Sequence, residues 1–190
     1  QEKIITPRTA FLSVGGLQIG DRTFRDWKAG GHGITNITKA IAWSVNTFFY
    51  YTGGGYKDFV GLGVDRIVKY MKSFGIAEKT GIDLPGEATG FLPSKDWKYQ
   101  TKQETWFVGD TYNLSIGQGD LLVTPLQVAV WTAAVANGGR VVQPHLAGKL
   151  EEPITHKETA LNFKDYSVPV SAENLALVRQ GMKECVVYGS

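Results

Sequence analysis

The chain has 190 residues, 43% of them hydrophobic and 12% aromatic, enough to bury a substantial core. Its 20 Lys and Arg stand against 18 Asp and Glu, a net charge of +2 with no long run of one sign, which argues against a nucleic-acid patch or a membrane-binding basic stripe. Cys185 is the single cysteine, so an internal disulfide and an all-cysteine metal site are excluded, and no apolar run reaches the roughly 18 residues of a membrane span or forms a signal peptide.

The chain starts at Gln1 rather than Met and stops at Val187-Tyr188-Gly189-Ser190, as expected of an excised or partial chain. Thr6-Pro7-Arg8-Thr9, Gly15-Gly16 and Gly20-Asp21 mark turns around short apolar pieces. Residues 36 to 50 read as a helix with a break near Ser44, capped by Thr35 or Asn36, with Ile37, Ala40 and Ile41 on one side. The aromatic run Trp43, Phe48, Phe49, Tyr50 and Tyr51 is expected in the core rather than in a groove. Val64, Ile67, Val68 and Met71 recur at helical spacing until Gly75 stops them. The stretch from 80 to 119, rich in Gly, Pro, Asp and Thr, predicts loops with one or two short helices. Thr124-Pro125-Leu126-Gln127 supplies a cap, a proline at the first helical position and a Gln three after the cap, so a helix should run to about Asn137-Gly138-Gly139. Arg140-Val141-Val142-Gln143-Pro144 reads as a strand, Thr159 to Val170 is weakly patterned, and Ser171 opens a last helix with Leu175, Val178, Met182 and Cys185 on one face.

Ser44-Val45-Asn46 is the most informative tripeptide. Taken alone it is weak, because Ser and Asn at a helix boundary are both good caps. Its flanks are more specific: Asp26-Trp27-Lys28, Gly30-Gly31-His32-Gly33, Asn36-Ile37-Thr38-Lys39 and Thr47-Phe48-Phe49-Tyr50, followed by Lys79-Thr80-Gly81-Ile82-Asp83-Leu84-Pro85-Gly86-Glu87 and the block from Asn113 to Gln127. From about Asp26 to about Ala136 these segments closely resemble the transpeptidase domain of class B penicillin-binding proteins of the elongation type, penicillin-binding protein 2. The catalytic elements of that group are Ser-x-x-Lys, Ser-x-Asn and Lys-Thr-Gly. The resemblance implies an α+β fold of the penicillin-binding transpeptidase and serine β-lactamase type. Residues 1–190 would be a partial domain, with a helical subdomain over about 34–139 and a return toward the sheet subdomain over 140–190. It assigns Ser44 as a proton relay and Asn46 as the group that positions substrate and the catalytic lysine. A hydroxyl beside a lysine can pass a proton, and a carboxamide can both donate to a substrate carbonyl and hold an ammonium.

The other two elements are not found. Lys79-Thr80-Gly81 matches Lys-Thr-Gly literally, but it leads into Asp83-Leu84-Pro85-Gly86, a turn rather than a cleft-lining strand, and reads as a decoy. Ser13, Ser44, Ser73, Ser94, Ser115, Ser167 and Ser171 are followed three residues later by Gly16, Thr47, Ile76, Trp97, Gln118, Val170 and Asn174, so none begins Ser-x-x-Lys. The chain by itself is therefore expected to be inactive, with the nucleophile shortly before Gln1 and the true Lys-Thr-Gly strand shortly after Ser190.

Some relatives of this type bind zinc with a cysteine in the middle of Ser-x-Asn. Asp26 and His32 could approach one ion across the Gly30-Gly31 turn, but the middle residue here is Val45, which cannot ligate, so no metal is expected and His32 is read as bonding a turn. His145 and His156 read as surface or loop residues, and Gly117-Gln118-Gly119 lacks the lysine of a phosphate loop. No cofactor is implied. The resemblance implies peptidoglycan stem peptides and β-lactams as ligands, membrane proteins of the elongation machinery as partners, no nucleic acid, and a parent protein anchored by an N-terminal helix on the periplasmic face of the inner membrane. A non-catalytic relative, a β-lactam sensor or an interaction fragment of the same fold is the alternative.

Overall fold

The computed structural model describes residues 2–189. Four short strands come first, β1 (Ala10–Ser13), β2 (Gly16–Ile19), β3 (Arg22–Arg25) and β4 (Gly33–Asn36), and six helices follow, α1 (Ile37–Ala42), α2 (Asn46–Gly54), α3 (Val64–Ser73), α4 (Lys95–Lys102), α5 (Val108–Ser115) and α6 (Pro125–Ala136). The chain then returns through β5 (Arg140–Val142), β6 (Lys149–Glu151), β7 (Glu158–Ala160) and β8 (Asp165–Ser167) to a long closing helix, α7 (Ala172–Tyr188). The strands pair antiparallel in four two-stranded sheets, β1 with β4, β2 with β3, β5 with β8 and β6 with β7. Helices and strands are mixed along the chain, which makes the architecture α+β.

The helix boundaries follow from local chemistry. Asn36 caps α1, its side chain accepting from the Lys39 N–H at 3.0 Å. Thr124 and Gln127 exchange side-chain and backbone hydrogen bonds at 3.1 and 2.9 Å, the reciprocal cap expected at the start of α6. Gln127 is buried, and its amide donates to the carbonyls of Glu78 at 2.7 Å and Thr89 at 2.8 Å, so the cap also ties α6 to the preceding loop. Asn137 ends the helix, followed by Gly138 and Gly139 at positive φ. Ser171 caps α7, which buries Leu175 and half-buries Val178, Met182 and Cys185. Both short helices expected between 80 and 119 are present, as α4 and α5. The weakly patterned stretch from 159 to 170 carries the end of β7 and all of β8, whose side chains are exposed. A strand with no buried face needs no apolar alternation, and β8 is held instead by its ladder to β5.

The helix α2 is the centre of the core. Phe48 is buried with Ala40 and Val45, while Tyr50 is buried with Leu17 and Tyr112 of α5. Trp43, Phe49 and Tyr51 pack half-buried against the same clusters, so the aromatic run is core. Helices α2 and α5 approach closely at Gly53 and Gly54, where an added methyl would run into Ser115 and the Tyr112 ring. Burial pushes the Tyr112 phenol up to about 12, which keeps its O–H donating to the Gly55 carbonyl. The start of α2 is thereby fixed against the strands and its end against α5.

Candidate active site

The turn between α1 and α2 holds the Ser-x-Asn tripeptide. Ala42 is the last residue of α1, Trp43 its C-cap, and Ser44 adopts φ +50°, the left-handed region. The Ser44 N–H donates to Ile41 O at 3.3 Å and the Val45 N–H to Ala40 O at 2.9 Å. This is a Schellman ending, with Ser44 in the slot that glycine usually fills and with its accompanying apolar contact, Val45 on Ala40, buried. A non-glycine residue in left-handed backbone costs on the order of 1–2 kcal/mol, so the turn keeps a side chain where the backbone would favour none. That side chain is exposed, and among the described residues its hydroxyl has no hydrogen-bond partner. Ser44 therefore sits at the break between two helices, as the sequence pattern predicts. Asn46 is the first residue of α2 and not its cap. The N-cap is Val45, which makes no side-chain capping bond. The Asn46 amide reaches only the Arg25 carbonyl, at 3.5 Å.

The loop after β3 supplies what Val45 lacks. The Asp26 carboxylate accepts the Thr47 N–H at 3.0 Å and the Thr47 hydroxyl at 2.9 Å, capping α2 from outside the helix. Thr47 Oγ1 also lies 2.8 Å from Ser13 Oγ, and all three residues are buried. The adjacent Trp27 indole N–H donates to the carbonyls of Trp43 at 2.9 Å and Ser44 at 3.1 Å. Lys39 of α1 donates to the His32 carbonyl at 2.7 Å and the Ile34 carbonyl at 3.0 Å, pinning the glycine turn.

His32 departs from the sequence expectation. Its ring does not bond a turn: Nε2 is buried without a hydrogen-bond partner, 3.5 Å from Asp26 Oδ1, and the ring packs edgewise between Trp27 and Trp43. Asp26 and His32 do come together, but no group of three or more His, Cys, Asp or Glu among the described residues is arranged to hold a metal ion. Val45, wholly buried and apolar, has no donor atom to offer an ion, and the other Asp26 oxygen is taken up by Thr47. Two donors do not fit a zinc ion, which takes three protein ligands at a catalytic site and four at a structural one.

Lys79-Thr80-Gly81 lies in a loop and is part of no strand. The Glu87 carboxylate accepts the Thr80 N–H at 2.7 Å, the Thr80 hydroxyl at 2.5 Å and the Gly81 N–H at 3.1 Å, and Gln143 donates to the Gly81 carbonyl at 2.5 Å. A substrate-binding strand must offer a free backbone edge, and here it is consumed internally. Partial burial pushes the Glu87 carboxyl up, but the Thr80 hydroxyl, the two N–H groups and the nearby Lys79 charge outweigh it, so Glu87 titrates below the ordinary value of 4.5. Because the folded value is the lower one, the stabilisation is complete above pH 4.5 and disappears as pH falls through the folded-state value. Melting curves should accordingly show Glu87→Gln less stable than wild type at neutral pH, with the gap closing in the acid range; an equal gap at both pH values would mean that Glu87 does not hold this loop through its charge.

An apolar cavity of about 420 Å³ opens between Ile5, Ile37, Phe49, Leu114 and Val178, and neither Ser44 nor Asn46 lines it. The residues that sequence reasoning missed are Trp27, Ser13 and Thr47. Asp26-Trp27-Lys28 was legible as a marker, but nothing in the spacing showed an indole reaching across to the carbonyl of Ser44.

Comparison with known proteins bears on the family and the fold. The penicillin binding protein transpeptidase domain matches over residues 1–190. The chain is 38% identical over 189 residues to the peptidoglycan D,D-transpeptidase MrdA of Salmonella typhimurium, covering 94% of this chain and 28% of that protein. It is 45% identical over 123 residues to the MrdA of Acinetobacter baumannii, covering 65% of this chain and 17% of that protein. The chain thus spans less than a third of the length of these curated relatives. Among solved structures, it superposes on PBP2 of Pseudomonas aeruginosa in complex with WCK 5153 with a TM-score of 0.79 at 32% identity, over 95% of this chain and 40% of that one. A complex of PBP2 with MreC from Helicobacter pylori gives 0.78 at 34% identity, over 95% and 31%. With the whole of its length matched and its fold shared by these structures, the chain belongs to the penicillin-binding protein transpeptidase domain family.

Proposed function

We propose that this chain is the Ser-x-Asn-bearing portion of a serine-type peptidoglycan D,D-transpeptidase, an enzyme that crosslinks stem peptides in cell-wall elongation and is acylated by β-lactams. The observation that carries the reading is Ser44, a serine in left-handed backbone whose hydroxyl is exposed and unengaged among the described residues, with the Asn46 carboxamide on the same turn. In acyl transfer the nucleophile must lose a proton and the leaving amine must gain one. A hydroxyl that donates and accepts can relay that proton, and the Asn46 amide can donate to the substrate carbonyl while its oxygen accepts from an ammonium.

The acylated serine and the substrate-binding Lys-Thr-Gly strand belong, in this reading, to segments of the full-length protein outside residues 1–190, with about 34–139 forming the helical subdomain and 140–190 returning to the sheet. The chain alone is then inactive. Likeness to a PBP2 solved with MreC favours a membrane-associated protein of the elongation machinery as partner, and work on peptidoglycan favours the periplasmic face of the inner membrane and a role in cell shape. The same family likeness carries an N-terminal membrane anchor as part of this reading; separately, no helix of the described residues is long and apolar enough to cross a membrane.

Labelling the full-length protein with a fluorescent penicillin and mapping the adduct by peptide mass spectrometry tests the reading. The adduct is expected on a serine outside residues 1–190, at the head of a Ser-x-x-Lys sequence. An adduct on Ser44 or any other serine of this chain would overturn the assignment of roles, and the absence of any adduct would favour the non-catalytic relative.

A further inference from the structure

The Schellman ending satisfies the N–H groups of Ser44 and Val45 but does not use the carbonyls of Trp43 and Ser44. One group takes both: the Trp27 indole N–H, at 2.9 and 3.1 Å. The Trp43 carbonyl belongs to the peptide plane that sets φ of Ser44, and the Ser44 carbonyl to the plane that sets its ψ. A single donor from a loop outside both helices therefore holds the two planes that aim the Ser44 hydroxyl. Trp27 is not there for burial, since it is 54% exposed. Its own position is well supported. Its backbone N–H donates to Asp26 Oδ1 at 2.9 Å, the Asp26 backbone N–H donates to the Gly15 carbonyl at 2.9 Å, and the His32 ring abuts the indole edgewise at 5.1 Å. The neighbouring Asp26 fixes the far side of the same turn by capping Thr47. The strained residue is thus gripped before and after by two consecutive loop residues.

We propose that Trp27 is a positioning residue for Ser44, its indole N–H clamping the turn so that the hydroxyl is presented in one orientation for proton relay. This rests on the reading of Ser44 given above. Phenylalanine keeps the ring and removes the donor, so Trp27→Phe in the full-length protein isolates the clamp. Acylation by a fluorescent penicillin is expected to slow by roughly tenfold to a hundredfold, the scale of a small misplacement in a reacting group, while the melting temperature falls by no more than a few degrees. A merely structural tryptophan could give the first result, so the deciding measurement is the double variant. If Trp27 acts through Ser44, Trp27→Phe adds no further slowing to Ser44→Ala. A wild-type rate in Trp27→Phe with a slow Ser44→Ala sinks the clamp alone. Additive effects in the double variant, or loss of the folding transition in Trp27→Phe, show that the ring acts otherwise and also overturn it. A normal rate in Ser44→Ala instead removes the Ser44 reading itself, and the clamp's purpose with it.

Discussion

In the full-length protein, Ser44→Ala and Asn46→Ala are each expected to slow acylation by a fluorescent penicillin by about 10²- to 10⁴-fold, the range expected of an acid–base or positioning group. Folding should be nearly unaffected. The Ser44 hydroxyl is exposed and bonds nothing among the described residues, and the bonds that end α1 are made by the backbone, which alanine retains. Asn46 is not the helix cap, and its amide contact to Arg25 O is at the 3.5 Å limit, so its removal is worth at most about 1 kcal/mol. A purely structural turn predicts the reverse, a lowered melting temperature with acylation unchanged. Lys79→Ala is the control: a lysine on the enclosed loop should leave the rate within a few-fold of wild type. Lost acylation in Lys79→Ala with a normal Ser44→Ala would mean that the wrong motif has been given the role.

The parts of this structure that were legible in the sequence are those decided within a few residues. The Thr124 and Gln127 cap, the glycine stop after Asn137, the turn around Asp83-Leu84-Pro85-Gly86 and the break at Ser44 all depend on neighbours along the chain, and each is where the pattern puts it. What could not be read depends on contacts across the chain. Thr47 is capped by Asp26, 21 residues away, and its hydroxyl meets Ser13, 34 residues away. Glu87 reaches back to Thr80, and only that contact shows why a literal Lys-Thr-Gly offers no free edge. The expectation for His32 failed for the same reason: its environment is two tryptophans, one of them on α1's end, and the burial of Nε2 without a partner has no signature in the local sequence. Strand β8 escaped because its side chains face solvent on both sides and its pairing with β5 is a backbone matter.

Ser44→Gly is the substitution for which stability and activity should move in opposite directions. Glycine at φ +50° relieves a left-handed strain of on the order of 1–2 kcal/mol, and the extra freedom it gives the unfolded chain takes back about 0.5–1 kcal/mol. The net gain expected from denaturant midpoints is therefore about 0.5–1 kcal/mol over wild type, and Ser44→Ala, which keeps the strained backbone, should show none of it. Acylation in Ser44→Gly should fall at least as far as in Ser44→Ala, because the hydroxyl is gone and the turn is also freer to wander. Such a pair of results would identify Ser44 as a residue kept against the preference of its own backbone, which is where strain and function tend to coincide. A turn that served only to join α1 to α2 would accept glycine with improved stability and unchanged acylation, and that outcome would return Ser44 to the role of a connector. No gain in stability, with acylation lost, would leave the hydroxyl's role standing but remove the claim that the Schellman slot is strained.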